Sequence, residues 1–110
     1  VIVIDKDAIK PAQMIPKAEM VSGQLRLLSN PNRLQIVCKL MEGERSVGDL
    51  EKSLNISQPS LSRELGRLRK ADVITPRREA KSVFYTLTSP AMKHLIDALC
   101  SACKSMEVKA

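Results

Sequence analysis

The reading of the chain turns on Ser46-Val47-Gly48-Asp49-Leu50-Glu51-Lys52-Ser53-Leu54-Asn55-Ile56-Ser57-Gln58-Pro59-Ser60-Leu61-Ser62-Arg63-Glu64-Leu65-Gly66-Arg67-Leu68-Arg69-Lys70. Ser46 and Asp49 have the spacing of a capping box, with Asp in place of the usual Glu. Val47, Leu50 and Leu54 then face inward from a short helix. Asn55 suits a left-handed turn position. Ser57 is placed to cap the next helix, Pro59 falls in its first turn, and Leu61, Leu65 and Leu68 form its apolar stripe. Two short helices joined by a turn of about four residues make a helix-turn-helix.

Upstream, Asn30 caps another helix with Pro31 at its first position. Leu34, Ile36, Val37, Cys38, Leu40 and Met41 cover most of that helix, so it is buried. An earlier helix is predicted to begin near Pro16, with Ala18, Val21, Leu25 and Leu28 as its stripe. Residues 1–15 carry no helical or strand period and read as an N-terminal arm. Downstream, Ala71-Asp72 breaks the helical pattern and Val73-Ile74 begins a strand. Val83, Tyr85 and Leu87 alternate along a second strand. The polar tip Arg77-Arg78-Glu79-Ala80-Lys81 lies between them, and Pro76 implies an edge or bulged position. This hairpin is a wing. Ser89 then caps a last helix with Pro90 at its first position, and Met92, Leu95, Ile96, Leu99 and Cys103 line one face. The predicted fold is mainly α with a small β-hairpin, a winged helix-turn-helix in the order α-α-α-α-β-β-α. It spans 16–104, with a C-terminal tail over 105–110.

Composition agrees with one small helical domain. The 110 residues include one Phe, one Tyr and no Trp, so Leu, Ile, Val and Met must build the core. A protomer of this size gains from oligomerisation. The apolar start Val1–Ile4 ends at Asp5 and Lys6, too short for a signal peptide or a membrane span. A bacterial cytoplasmic location is expected, with no membrane partner. In that reducing setting three cysteines do not form a structural disulfide framework.

The net charge of +6 fits a phosphate-bearing partner, and its location says more than its size. Between Arg63 and Lys81 stand seven basic and three acidic residues, a net of +4 in nineteen positions. On the wheel of the second helix of the pair, Gln58, Ser60, Ser62, Arg63 and Arg67 lie off the leucine stripe. Gln can pair with adenine, Arg with guanine, and Ser with either or with phosphate. With Arg77, Arg78 and Lys81 of the wing they form the expected face for double-stranded DNA. The bland alternative is a solvated helix followed by a charged turn. RNA is disfavoured because Phe84 and Tyr85 offer no wider stacking surface. A lone His94 and scattered carboxylates give no nucleophile–base arrangement, so no enzyme is read here. A helical protein-interaction module with structural cysteines is the reading of another class.

Several segments resemble the ArsR/SmtB winged-helix repressors. Leu28-Ser29-Asn30-Pro31-Asn32-Arg33-Leu34 is similar to their "LxxPxRL" segment. Gln58 through Arg69 is similar to their recognition helix, "QPxLSxHLxxLR", with Glu64 where the family often has His. Phe84-Tyr85-Thr86-Leu87 is similar to the closing strand of their wing. The resemblance implies a homodimeric repressor pairing through its first and last helices, a near-palindromic operator, and release by an inducer. The family's "ELCVCDL" metal motif reads here Glu44-Arg45-Ser46-Val47-Gly48-Asp49-Leu50, without its cysteines. A His-rich zinc site needs more than one His. No metal site and no cofactor are therefore expected.

Within the family the chain resembles the sulfide- and persulfide-responsive branch of BigR, SqrR and HlyU. That branch pairs a cysteine on the second helix with one near the end of the last. Cys38 matches the first. Cys103 stands one residue before the second position, where this chain has Lys104, and Cys100 stands four before it. At about 100° per residue, with Met92 as zero, Cys103 lies near 20°, inside the apolar stripe, and Cys100 near 80°, at its edge. Cys103 is thus the expected partner of Cys38, and Cys100 the alternative. Packed helix axes lie about 8–10 Å apart, whereas a disulfide needs Cα atoms about 4.4–6.8 Å apart. An inserted sulfur chain bridges such a gap more readily, which favours reactive sulfur species (persulfide or polysulfide) as inducer. Two other readings stand beside it. The cysteines are small buried hydrophobes, or the three thiols hold arsenite or another soft metalloid.

Overall fold

Side-chain caps set the start of three helices. Asn30, Ser46 and Ser89 each accept a hydrogen bond from the backbone N–H three residues on, at Arg33, Asp49 and Met92, over 3.0, 3.1 and 3.2 Å. Each satisfies a donor that the first helical turn would otherwise leave orphaned. A computed structural model describes residues 10–108. Its elements run α1 (Pro11–Leu28), α2 (Pro31–Met41), β1 (Arg45–Ser46), α3 (Val47–Leu54), α4 (Gln58–Lys70), β2 (Ile74–Glu79), β3 (Ser82–Leu87) and α5 (Pro90–Lys104). This is the winged helix-turn-helix, with Asn55 at φ +53° in the turn between α3 and α4. Ser57 stands at the cap position of α4 without capping it, and its hydroxyl donates to Ser60 Oγ instead.

Three features differ from the sequence reading. First, α1 begins at Pro11, five residues before the expected start, so part of the predicted arm is helical. Pro11 takes the first helical position, where its missing N–H costs nothing. Pro16 then sits inside the helix and removes one hydrogen bond from the second turn. The remainder of the expected arm, residues 1–9, lies outside the described residues. Second, only Leu28 of the predicted α1 stripe is buried, while Val21 and Leu25 are exposed along with Met14 and Met20. The reason is placement, because α1 joins the core through Leu27 and Leu28 at its C-terminal end.

Third, the sheet has three strands, in the order β1-β3-β2, all antiparallel. β1 is two residues long, too short to show alternation in sequence. β2 is an edge strand, which accommodates Pro76 opposite Tyr85. Glu79 pairs with Ser82, so only Ala80 and Lys81 form the wing tip, with Ala80 at φ +55°. Arg77, Arg78 and Glu79 belong to the strand and alternate across its faces.

The core gathers around α2. Ile36, Val37 and Leu40 pack with Leu50 of α3, Leu61, Leu65 and Leu68 of α4, Leu87 of β3, and Met92 and Ile96 of α5. Each such side chain contributes about 1.5–3 kcal/mol on burial. Among the described residues, no helix is long and apolar enough to cross a membrane.

Candidate functional site: a basic surface and a thiol pair

The leucine stripe of α4 fixes which of its residues reach solvent. Leu61, Leu65 and Leu68 are buried, which leaves Gln58, Ser62, Arg63 and Arg67 exposed and Ser60 half-buried. Gln58 and Ser62 line one concavity together with Lys81 of the wing tip and Ser46, Val47 and Gly48 at the start of α3. Arg78 shares a second depression with Arg69, Pro76 and Tyr85. Arg63, Arg67, Arg69 and Lys70 ring a third beside the C-terminal half of α4. Side chains with donors and cationic heads thus face solvent from both the helix and the wing.

Arg77 stands apart from this group. Strand alternation turns it away from Arg78. Its guanidinium bonds Glu44 at 2.7 and 3.2 Å and Glu79 at 2.7 Å, and lies 4.7 Å from the centre of the Phe84 ring. The Glu44 carboxyl is held below its ordinary range by these Arg77 bonds, helped by the Thr86 hydroxyl. Reading 77–81 as one loop tip assigns all its cations to the same face, and the strand separates them.

Glu64 is absent from the expected site. It is 2% exposed and accepts from Arg33 Nη1 at 3.1 Å, while Arg33 Nε donates to the Leu27 carbonyl at 2.6 Å. Arg67 Nε lies 3.8 Å from the same carboxylate. One guanidinium therefore ties the end of α1 and α2 to α4. The position is visible in the sequence, since Glu64 is three residues after Leu61 and four before Leu68, on the inward face. Its acidic character disguises it.

The thiols are arranged differently from the expectation. Cys38 Sγ lies 4.0 Å from Cys100 Sγ, a weak S–H···S contact, and both side chains are half-buried. Cys103 is exposed. The structure thus brings Cys100 to Cys38, and Cys103 is not its neighbour in contact. The wheel angle places Cys103 inside the stripe but ignores distance along the axis. Three residues carry it about 4.5 Å farther along α5, where Ser101, Ala102 and Lys104 are also exposed. Burial first, then the adjacent Cys100 and the charge reach of Cys103, push the Cys38 thiol up to about 11. Among the described residues, no three His, Cys, Asp or Glu side chains are grouped to hold a metal ion. His94 is exposed on α5.

Similarity to known proteins bears on this arrangement. The family described as "Bacterial regulatory protein, arsR family" matches residues 30–75, from the cap of α2 into β2. The biofilm growth-associated repressor of Xylella fastidiosa is 45% identical over 86 residues, which are 78% of this chain and 75% of that protein. The crystal structure of the transcriptional repressor BigR from Xylella fastidiosa superposes with a TM-score of 0.79 at 40% identity, covering 92% of this chain and all of that one. A structure described as reduced HlyU from Vibrio cholerae gives 0.74 at 40% identity, over 79% of this chain and 93% of that one.

Proposed function

The chain belongs to the arsR family of bacterial regulatory proteins, transcription regulators rather than enzymes, and we propose that it is a homodimeric repressor whose grip on operator DNA is set by its thiols. The reduced dimer holds DNA through Gln58, Ser60, Ser62, Arg63, Arg67, Arg78 and Lys81. Reactive sulfur species bridge Cys38 to Cys100 and release it. The observation that carries this reading is the 4.0 Å separation of the two sulfurs. A direct disulfide needs about 2.05 Å, whereas one inserted sulfur spans about 3.3 Å between the outer atoms. Unbonded sulfurs do not approach closer than van der Waals contact, so the 4.0 Å separation sets the two thiols ready for bridging of either kind. The lack of a three-ligand group among the described residues weighs against the metalloid reading.

Dimerisation is supported by α1. Met14, Ala18, Val21, Leu25 and Leu28 recur at spacings of four, three, four and three residues, the seam of a coiled coil. All but Leu28 are exposed in the protomer. A second copy covers this seam with its own α1, and α5 joins the same interface. A two-fold dimer presents two recognition helices about 34 Å apart, hence a near-palindromic operator. The coupling runs through α2, which carries Cys38 at the α5 contact and Arg33 at the α4 contact. Free thiols of this kind suit a bacterial cytoplasm.

The test is a binding titration on duplex DNA selected by the protein from a random-sequence pool, paired with sedimentation. The expected species has twice the 12.2 kDa chain mass. Affinity is expected to fall on the order of 10³-fold between about 50 and 200 mM salt, because several Lys and Arg displace counterions. A monomer, or binding indifferent to salt, contradicts the reading.

A further inference from the structure

The sensing pair as built is poorly suited to meet its inducer. Cys38 is half-buried beside Cys100, and its thiol, pushed up to about 11, is almost wholly protonated at neutral pH. The thiolate is the nucleophile in sulfur exchange, so such a group attacks slowly. The third thiol is more accessible. Cys103 is exposed in the protomer, in the last turn of α5 and beyond its buried Met92 and Ile96. It stands three residues from Cys100, a spacing that puts the two β-carbons about 5–6 Å apart on one side of the helix.

We propose that Cys103 is the receiving thiol of the sensor, taking sulfur from polysulfide and handing it to Cys100, from which it reaches Cys38. The proposal rests on the sulfur-sensing reading above. In the first step the Cys103 thiolate attacks a sulfane sulfur of an inorganic polysulfide. The S–S bond of the donor breaks, a polysulfide shorter by one sulfur leaves with the electron pair, and Cys103 carries a persulfide. In the second step Cys100, its proton lost to water, attacks the outer sulfur of that persulfide. Cys103 leaves as thiolate and is free to be charged again, while Cys100 becomes the persulfide. In the third step Cys38, deprotonated in its turn, attacks the outer sulfur of the Cys100 persulfide and takes it. A second delivery recharges Cys100. The two persulfides then condense to Cys38–S–S–S–Cys100 and one hydrogen sulfide. Two thiols and two sulfane sulfurs thus become one trisulfide and one hydrogen sulfide, with polysulfide as the oxidant. An exposed first acceptor and a sheltered pair keep the bridge specific, since a bulky oxidant reaches Cys103 without reaching Cys38.

The experiment uses the full chain, reduced, with sodium tetrasulfide as the donor at neutral pH and the thiols blocked at timed intervals for peptide mass analysis. In the wild type the first added sulfur is expected on Cys103, ahead of the bridge. Cys103→Ser is expected to slow bridge formation on the order of tenfold or more, while leaving the reduced protein's DNA affinity and urea midpoint unchanged. Cys100→Ser is expected to trap the persulfide on Cys103 and leave Cys38 unmodified. Bridge formation at the wild-type rate in Cys103→Ser overturns the receiving role and leaves the sensing reading intact. Persulfide on Cys103 with no Cys38–Cys100 bridge in the wild type overturns the sensing reading, and the transfer with it.

Discussion

Cys38 shows how one residue's environment decides its chemistry. Burial on an apolar helix face, then the adjacent Cys100 and the more distant Cys103, hold it in the neutral form, from an ordinary 9.0 up to about 11. Between these values the native chain keeps a proton that the unfolded chain has lost, so stability falls as pH rises through that window. Relative to Cys38→Ala, the wild type is expected to lose roughly 1 kcal/mol between about pH 8 and about pH 11, a figure already discounted for solvent screening at this half-buried position. Urea unfolding of both proteins across that range reads the difference, and parallel curves would contradict the assigned environment. Residue identity alone does not resolve which thiol faces Cys38. The angle around α5 favours Cys103, but the 4.0 Å contact belongs to Cys100. An angle is legible from spacing, whereas the point at which a helix leaves its core is not.

At the level of elements, local chemistry is the most legible part of the sequence. The caps at Asn30, Ser46 and Ser89 and the leucine stripe of α4 act within a few residues, and the structure forms them where the pattern places them. The features that escape the sequence depend on distant partners or on very short pieces. β1 exists because Tyr85 and Phe84 pair with Arg45 and Ser46. Arg77 faces Glu44 because β2 alternates, and Glu64 is inside because Arg33 meets it from α2. That last tie has a measurable worth. Glu64→Ala leaves a guanidinium only 10% exposed without its carboxylate, and is expected to cost about 3 kcal/mol. Adding Arg33→Met is expected to recover most of that loss, because no uncompensated charge remains. Urea denaturation of the three proteins checks both statements. A cost below about 1 kcal/mol for Glu64→Ala would mean that the pair does not tie α2 to α4.

For the whole molecule, three surfaces meet through one central helix. α2 touches α5 at the thiol pair, α4 through Arg33 and Glu64, and α1 at its C-terminal end. On the proposed mechanism, a bridge between Cys38 and Cys100 would bias the packing of α2 against α5, and in a two-fold dimer that would reset the separation of the recognition helices. Such coupling requires that DNA and the bridge prefer different dimer states. The most direct measurement is the DNA affinity of one dimer preparation before and after tetrasulfide, with Cys100→Ser beside it. Bridging is expected to weaken binding on the order of tenfold or more in the wild type, a reductant to restore it, and Cys100→Ser not to respond. A wild-type protein that carries the bridge and still binds DNA with its reduced affinity would contradict thiol control of DNA release.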